Sequence, residues 1–294
     1  MTGNARTPLL SVRDLTIGFP TANGTTSVVR GLGFDVPRGG AVGIVGESGS
    51  GKSMTSLAVM GLLPKGGTAT GSIVFDGREL IGLPDRVMRD VRGDRIAMIF
   101  QDPLSSLNPY YKVGVQIAEA YRAHRPGVSR REARKVAIEA MDRVRIRDAA
   151  ERVDHYPHQF SGGMRQRIMI AMALSMEPDL IIADEPTTAL DVTVQAQILA
   201  LLDEIREETG AGLMLITHDL AVVSEVTDHI VVMRDGEMVE QGAAEQIFCD
   251  PQADYTQRLL DAVPRIDDEI GELRTTDVIV VPGSTRTTTT EERP

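Results

Sequence analysis

The sequence predicts an α/β protein: a mostly parallel central sheet, an N-terminal antiparallel β layer and a helical insertion. Three observations carry this expectation. Short all-apolar runs at 41–45, 180–183 and 213–217 have the pattern of strands buried on both faces, and helical periodicity follows the first two. Residues 9–45 alternate and cluster in a β manner. The stretch 102–165 is dominated by helical spacing.

From the N-terminus, Leu15-Thr16-Ile17-Gly18-Phe19, Ser27-Val28-Val29 and Gly33-Phe34-Asp35-Val36 read as strands, separated by turn material at Asn23-Gly24 and 37–40. The apolar strand 41–45 runs into a glycine-rich segment, and 54–63 then reads as a helix ended by Pro64. Strand-like runs at 73–75 and 95–100 bracket a polar stretch. Ser129-Arg130-Arg131-Glu132 is a capping box opening a helix with Val136, Ala140, Met141 and Val144 on one face. Helix resumes at 164–176, where Met164, Met169, Met172 and Met176 recur at core-filling spacing. Strand 180–183, helix 194–208 and strand 213–217 follow, and 230–233 with 237–239 form a closing hairpin around Asp235-Gly236. From 263 to 294 the composition degrades to charge and threonine; this reads as an irregular tail in which 278–281 could add a strand.

The chain has 294 residues, 42% hydrophobic and 25% charged, with a net charge of −11. This is globular composition, long enough to bury a large core without disulfide or metal staples. A lone cysteine, Cys249, allows no disulfide framework, no four-cysteine zinc site and no cysteine-ligated iron–sulfur cluster; it reads as a small, semi-buried residue. The acidic balance argues against broad nonspecific binding to nucleic acid or anionic lipid. No apolar run approaches the roughly 18 residues of a membrane span, and residues 1–10 lack a signal-peptide core, so the expected location is the cytoplasm. Of 31 basic residues only four are lysines, at 52, 65, 112 and 135.

One of those lysines sits in Gly46-Glu47-Ser48-Gly49-Ser50-Gly51-Lys52-Ser53, a G-x-x-x-x-G-K-S pattern with the required strand before and helix after. Its glycines let successive N–H groups point at phosphate oxygens, and the helix start adds partial positive charge. Lys52 is suited to the β- and γ-phosphates and Ser53 to Mg²⁺. At average residue usage the pattern arises by accident in roughly one such chain in a hundred. The apolar strand 180–183 then delivers Asp184 and Glu185 at its C-terminal end, where ligands sit in parallel sheets. Asp184 fits a Mg²⁺-organising carboxylate and Glu185 a general base for water. Phe160-Ser161-Gly162-Gly163-Met164-Arg165-Gln166-Arg167 is a second glycine-rich helix start suited to a γ-phosphate. One molecule has no need of two such cradles, so the second is expected to close on nucleotide held by another subunit.

That combination resembles the ATP-binding-cassette family over most of residues 9–262, with the diagnostic segments in order. The resemblance implies a P-loop NTPase cassette at 9–262, with a helical subdomain near 102–165, acting through ATP and Mg²⁺ in head-to-tail pairs. It also implies that Gln101 links Mg²⁺ to a transmembrane partner, that Asp191 in Ala189-Leu190-Asp191 lies on the loop crossing the dimer interface, that His218 contacts the γ-phosphate, and that Phe19 lies against adenine. The segments Ile99-Phe100-Gln101-Asp102-Pro103-Leu104-Ser105-Ser106-Leu107-Asn108-Pro109 and Tyr255-Thr256-Gln257-Arg258-Leu259-Leu260 narrow it further. So does the run from Asp184 through Pro186-Thr187-Thr188 to Gln197. These are similar to ATPase subunits of oligopeptide and dipeptide importers, a group that includes nickel and glutathione systems.

By that resemblance the chain powers peptide import from the cytoplasmic face of the membrane, as a peripheral subunit. Its implied partners are a second, preferably different, ATPase chain, two permease subunits and an extracytoplasmic binding protein. Nickel or glutathione cargo, or a regulatory cassette, are the alternatives. Members of the group often carry a cysteine cluster after the Tyr-Thr-x-x-Leu-Leu segment, and this chain has none there. No long coiled-coil insertion or second cassette points to DNA or ribosome work. No Asn-Lys-x-Asp motif supports a GTPase, and a kinase has no use for Ser161-Gly162-Gly163. His124, His155, His158 and His229 lack metal-ligand spacing.

Overall fold

The computed structural model describes residues 7–262 apart from 23, 103–105, 189, 221–222 and 224–225. Asn23 of the first expected turn, residues 103–105, Ala189 and the 263–294 tail with its expected strand at 278–281 lie outside the described residues.

β-branched and aromatic residues at alternating positions form a four-stranded antiparallel sheet, ordered β2-β1-β4-β5, from β1 (Leu10–Thr21), β2 (Gly24–Val36), β4 (Thr68–Phe75) and β5 (Arg78–Glu79). The separate short strands expected over 9–36 are two long ones. Register shifts between Val12 and Leu15, Leu15 and Ile17, and Ile17 and Gly18 absorb the irregular residues as bulges, so pairing continues across them.

The second sheet contains β3 (Ala41–Val45), β6 (Ile96–Ile99), β7 (Leu180–Asp184), β8 (Gly212–Thr217), β9 (His229–Arg234) and β10 (Glu237–Ala243). Its order is β10-β9-β3-β8-β7-β6, parallel throughout except for β10, which closes the edge as the expected hairpin. Successive side chains go to opposite faces. Val42, Ile44, Leu180, Ile182, Met214 and Ile216 face the core shared with the antiparallel sheet, while Ala41, Val45, Ile181, Ala183, Leu213 and Leu215 face the core under the helices. Each buried Val, Leu or Ile side chain contributes about 1.5–3 kcal/mol.

Helix α1 (Lys52–Val59) starts at the glycine-rich segment and stops short of the expected residue 63, because Gly61 takes a left-handed φ of +62° that ends the helix. A short α2 (Asp85–Met88) interrupts the polar stretch. The helical insertion holds α3 (Val113–His124), α4 (Arg130–Arg143) and α5 (Ala149–Arg152), and leads to α6 (Gly162–Leu174). The capping box at α4 forms as expected: Glu132 N donates to Ser129 Oγ at 3.2 Å, and Ser129 N donates to Glu132 Oε2 at 2.9 Å. Met169 and Met176 are buried, with Met164 and Met172 packed against the same core. The chain continues through α7 (Val192–Thr209), α8 (Ala244–Cys249) and α9 (Asp254–Asp261). Cys249, expected semi-buried, is exposed, since it ends a short helix that buries only Ile247.

Candidate functional site

β3 ends inside the sheet, so residues 46–53 turn at the C-terminal edge shared by β3, β7, β8 and β9. The turn demands glycine. Gly46 has φ +149°, and a Cβ there would lie 2.0 Å from the Met233 carbonyl oxygen; Gly51 has φ +100° and would meet Val28 O at 2.9 Å. The segment lines a cleft of about 670 Å³ together with Val28, Met54, Gln101, Glu185, His218 and Leu259. Lys52 Nζ is buried and donates to Gly46 O at 2.6 Å and Glu47 O at 2.9 Å. Burial lowers its pKa, opposed by the nearby Glu185, Asp184 and Glu47 carboxylates.

β7 delivers the two acids with different surroundings. Asp184 is buried, and Ser53 Oγ and Ser56 Oγ donate to its oxygens at 3.0 and 3.3 Å. Burial raises its pKa, and the two serine hydrogen bonds oppose the rise. Glu185 turns off the strand at φ +46°, and its side chain is 15% exposed. Three groups converge on its carboxylate: Gln101 Nε2 and Thr188 Oγ1, both donating to Oε2 at 2.9 Å, and His218 Nδ1, 3.5 Å from Oε1.

A hydroxyl, a carboxylate and a neighbouring amide form a sparse, hard oxygen set of the kind that holds Mg²⁺ alongside substrate phosphates. The buried Ser50 hydroxyl, within the glycine-rich loop, has no partner among the described residues. A loop of inward amides, a buried ammonium and a positioned carboxylate suit phosphate binding and attack by water.

The structure thus brings Gly46, Glu47, Ser48, Gly49, Ser50, Gly51, Lys52, Ser53, Gln101, Asp184, Glu185 and His218 to one place. It does not bring the others there. Phe19 is half-buried on β1, its ring against Gly67, and does not line the cleft. Ser161 caps α6, accepting from Met164 N at 3.4 Å, and Asp191 caps α7, accepting from Val194 N at 2.9 Å. These two caps adjoin each other, since Gly162 neighbours Leu190 and Gly163 packs on Val194, but they form a separate surface. Thr188, Val28, Tyr255 and Leu259 had no role assigned by sequence. Thr188 is signalled only by its spacing of three from Glu185, and the other three come from strands and helices distant in sequence.

The family model described as "ABC transporter" matches residues 29–188. The oligopeptide transport ATP-binding protein OppD of Haemophilus influenzae is 49% identical over 88% of this chain and 80% of its own length. The dipeptide transport ATP-binding protein DppD of Bacillus subtilis is 51% identical over 92% of this chain and 81% of its own. Among solved structures, the ADP- and phosphate-bound dimer of the ATP-binding cassette MJ0796 superposes with a TM-score of 0.72 at 28% identity, covering 80% of this chain and 98% of that one. The cbiO1 protein of Clostridium perfringens does so with a TM-score of 0.69 at 29% identity, over 83% and 91%.

Proposed function

The chain belongs to the ABC transporter family, and from that premise we propose that it is the ATP-hydrolysing subunit of an importer carrying peptides across the cytoplasmic membrane. In this reading residues 9–262 are the working cassette and 102–165 its helical insertion. The observation that carries the reading is the Glu185 carboxylate, held by Gln101, Thr188 and His218 at a cleft lined by the glycine-rich loop. The relatives' names support the peptide cargo.

ATP lies with its phosphates along residues 46–53. Lys52 leaves two neutral carbonyls for the β- and γ-phosphate oxygens, exchanging ordinary hydrogen bonds for charge-assisted ones. Mg²⁺, when bound, neutralises phosphate charge; Ser53, Asp184 and Gln101 are the residues to hold it. Glu185 orients the attacking water and takes up its proton as the water oxygen bonds to the γ-phosphorus and the bond to the bridging oxygen breaks, leaving ADP and inorganic phosphate. His218 donates to a γ-phosphate oxygen.

The exposed Ser161 and Gly162, with Gly163 and Asp191 beside them, support a site completed by a second cassette chain, each ATP sandwiched between the Lys52 loop of one chain and the Ser161 loop of the other. A different ATPase chain is the preferred second member, joined by two permease subunits and an extracytoplasmic binding protein; nucleic acid is not a partner. Among the described residues no helix is long and apolar enough to cross a membrane, and the relatives' names as transport ATP-binding proteins support a peripheral place on the cytoplasmic face.

Glu185→Gln should retain ATP while phosphate release by the assembled transporter falls by about 100-fold or more. Normal release removes Glu185 from its role. In the same assembly peptides should stimulate hydrolysis; stimulation by nickel or glutathione alone replaces the cargo assignment.

A further inference from the structure

Helix α9 carries a residue of the C-terminal segment into the glycine-rich loop. Tyr255 is buried, and its hydroxyl oxygen accepts a hydrogen bond from the Glu47 amide at 3.3 Å. The Arg234 guanidinium lies 5.0 Å over its ring, and Leu259, one turn on, lines the same cleft. The approach to α9 is anchored independently, because Glu240 accepts the Gln252 and Ala253 amides at 2.8 and 3.1 Å.

We propose that Tyr255 is a positioning residue for phosphate binding, tying the C-terminal helix to the first peptide units of the glycine-rich loop. This rests on the reading of residues 46–53 as the phosphate cradle. Glu47 is held from two directions: Lys52 Nζ donates to its carbonyl oxygen at 2.9 Å, and Tyr255 receives its N–H. A bound triphosphate draws the Lys52 ammonium away from that carbonyl, and the Tyr255 contact then remains to hold Glu47 in place. The adjoining Gly46 is the least forgiving point of the loop, packed against the Met233 carbonyl, so a shift of Glu47 tilts the amides that follow. Burial raises the Tyr255 pKa above its ordinary value. The C-terminal helix thereby sets how well formed the cradle is before nucleotide arrives, and preorganisation of this kind is read out as affinity.

Tyr255→Phe removes only the phenolic oxygen and keeps the ring and its Arg234 contact. Titration of the full chain should give ATP and inorganic pyrophosphate affinities weakened alike, by about two- to tenfold, the worth of one hydrogen bond. The melting temperature of the nucleotide-free protein should fall by no more than the few degrees that one hydrogen bond supports. Arg258→Ala, on the exposed face of α9, should bind both ligands as the parent does. Lys52→Ala tests the cradle separately: if it keeps pyrophosphate affinity, the phosphate reading itself fails. If Lys52→Ala loses binding while Tyr255→Phe keeps it, the Tyr255 assignment alone is overturned. A loss of ATP affinity with pyrophosphate unaffected also overturns it, because the contact then serves the base. A lowered melting temperature with unchanged affinities assigns Tyr255 to packing and overturns it too.

Discussion

Thr188→Ala isolates the support of the proposed general base. Thr188 Oγ1 donates to Glu185 Oε2 at 2.9 Å, and the same oxygen accepts Gln101 Nε2 at 2.9 Å. Glu185 occupies a left-handed backbone conformation, φ +46°, which costs a non-glycine residue on the order of 1–3 kcal/mol and persists only where neighbours over-determine it. With 15% of its side chain exposed, its direction depends on these few partners more than on water. A hydrogen bond to a charged group contributes about 1.5–3 kcal/mol. Gln101 and His218 remain in the variant, so the lower figure applies, and about 1.5 kcal/mol corresponds to roughly tenfold in rate. Phosphate release by the assembled transporter, measured across ATP concentrations, should show kcat reduced about tenfold with KM within about twofold, because the hydroxyl faces the carboxylate and not the loop. Thr188→Ser keeps the donor and should recover most of the loss. Parent-like turnover in Thr188→Ala, or a serine variant as slow as the alanine one, would refute the reasoning.

Two further outcomes concern charge. Burial holds the Asp184 carboxyl above its ordinary value of 3.8. The folded state therefore binds this proton more tightly than the unfolded chain; the resulting stability is complete below 3.8 and is lost as pH rises through the folded pKa. Asp184→Asn abolishes that titration, so melting temperatures of the metal- and nucleotide-free variant and parent should converge in acid, with the variant higher toward neutrality; a gap that widens in acid contradicts the assignment. At the opposite end of β7, Arg38 and Arg95 each bridge Asp76 and Asp179 in a closed ring, with Arg38 2.7 Å from Asp76 and 3.3 Å from Asp179. These partly exposed pairs are each worth at most about 1 kcal/mol. Asp179→Ala breaks two of them, so a loss of about 1 kcal/mol should lower the melting temperature by about 2–4 °C, less at high salt. An equal loss at high and low salt removes the ion pairs as its cause.

Much of the molecule was legible in its residues where the chemistry is local. All-apolar runs at 180–183 and 213–217 are central parallel strands, because only a strand covered on both faces tolerates such composition. Ser129 and Glu132 cap a helix because the two groups that satisfy each other lie three residues apart. Where bounds differed, backbone geometry decided: α1 stops at a left-handed Gly61 before Pro64 can act, and bulges fuse short β runs into long strands. Burial at an element's end was less legible. Cys249 is exposed because α8 is too short to present a second buried face.

The candidate site divides along the same line. By itself the sequence determined the glycine-rich loop, because its backbone requirements and its lysine lie within eight consecutive residues, and the carboxylate pair, because a strand end places neighbours together. Only the tertiary structure decided what surrounds them. Gln101, Thr188 and His218 meet at one carboxylate because β6, β7 and β8 end side by side. Tyr255 reaches Glu47 across a separation of 208 residues, and Phe19 packs against Gly67. Contacts of this kind are set by how sheets and helices stack, an outcome of the whole core's packing that no local pattern encodes.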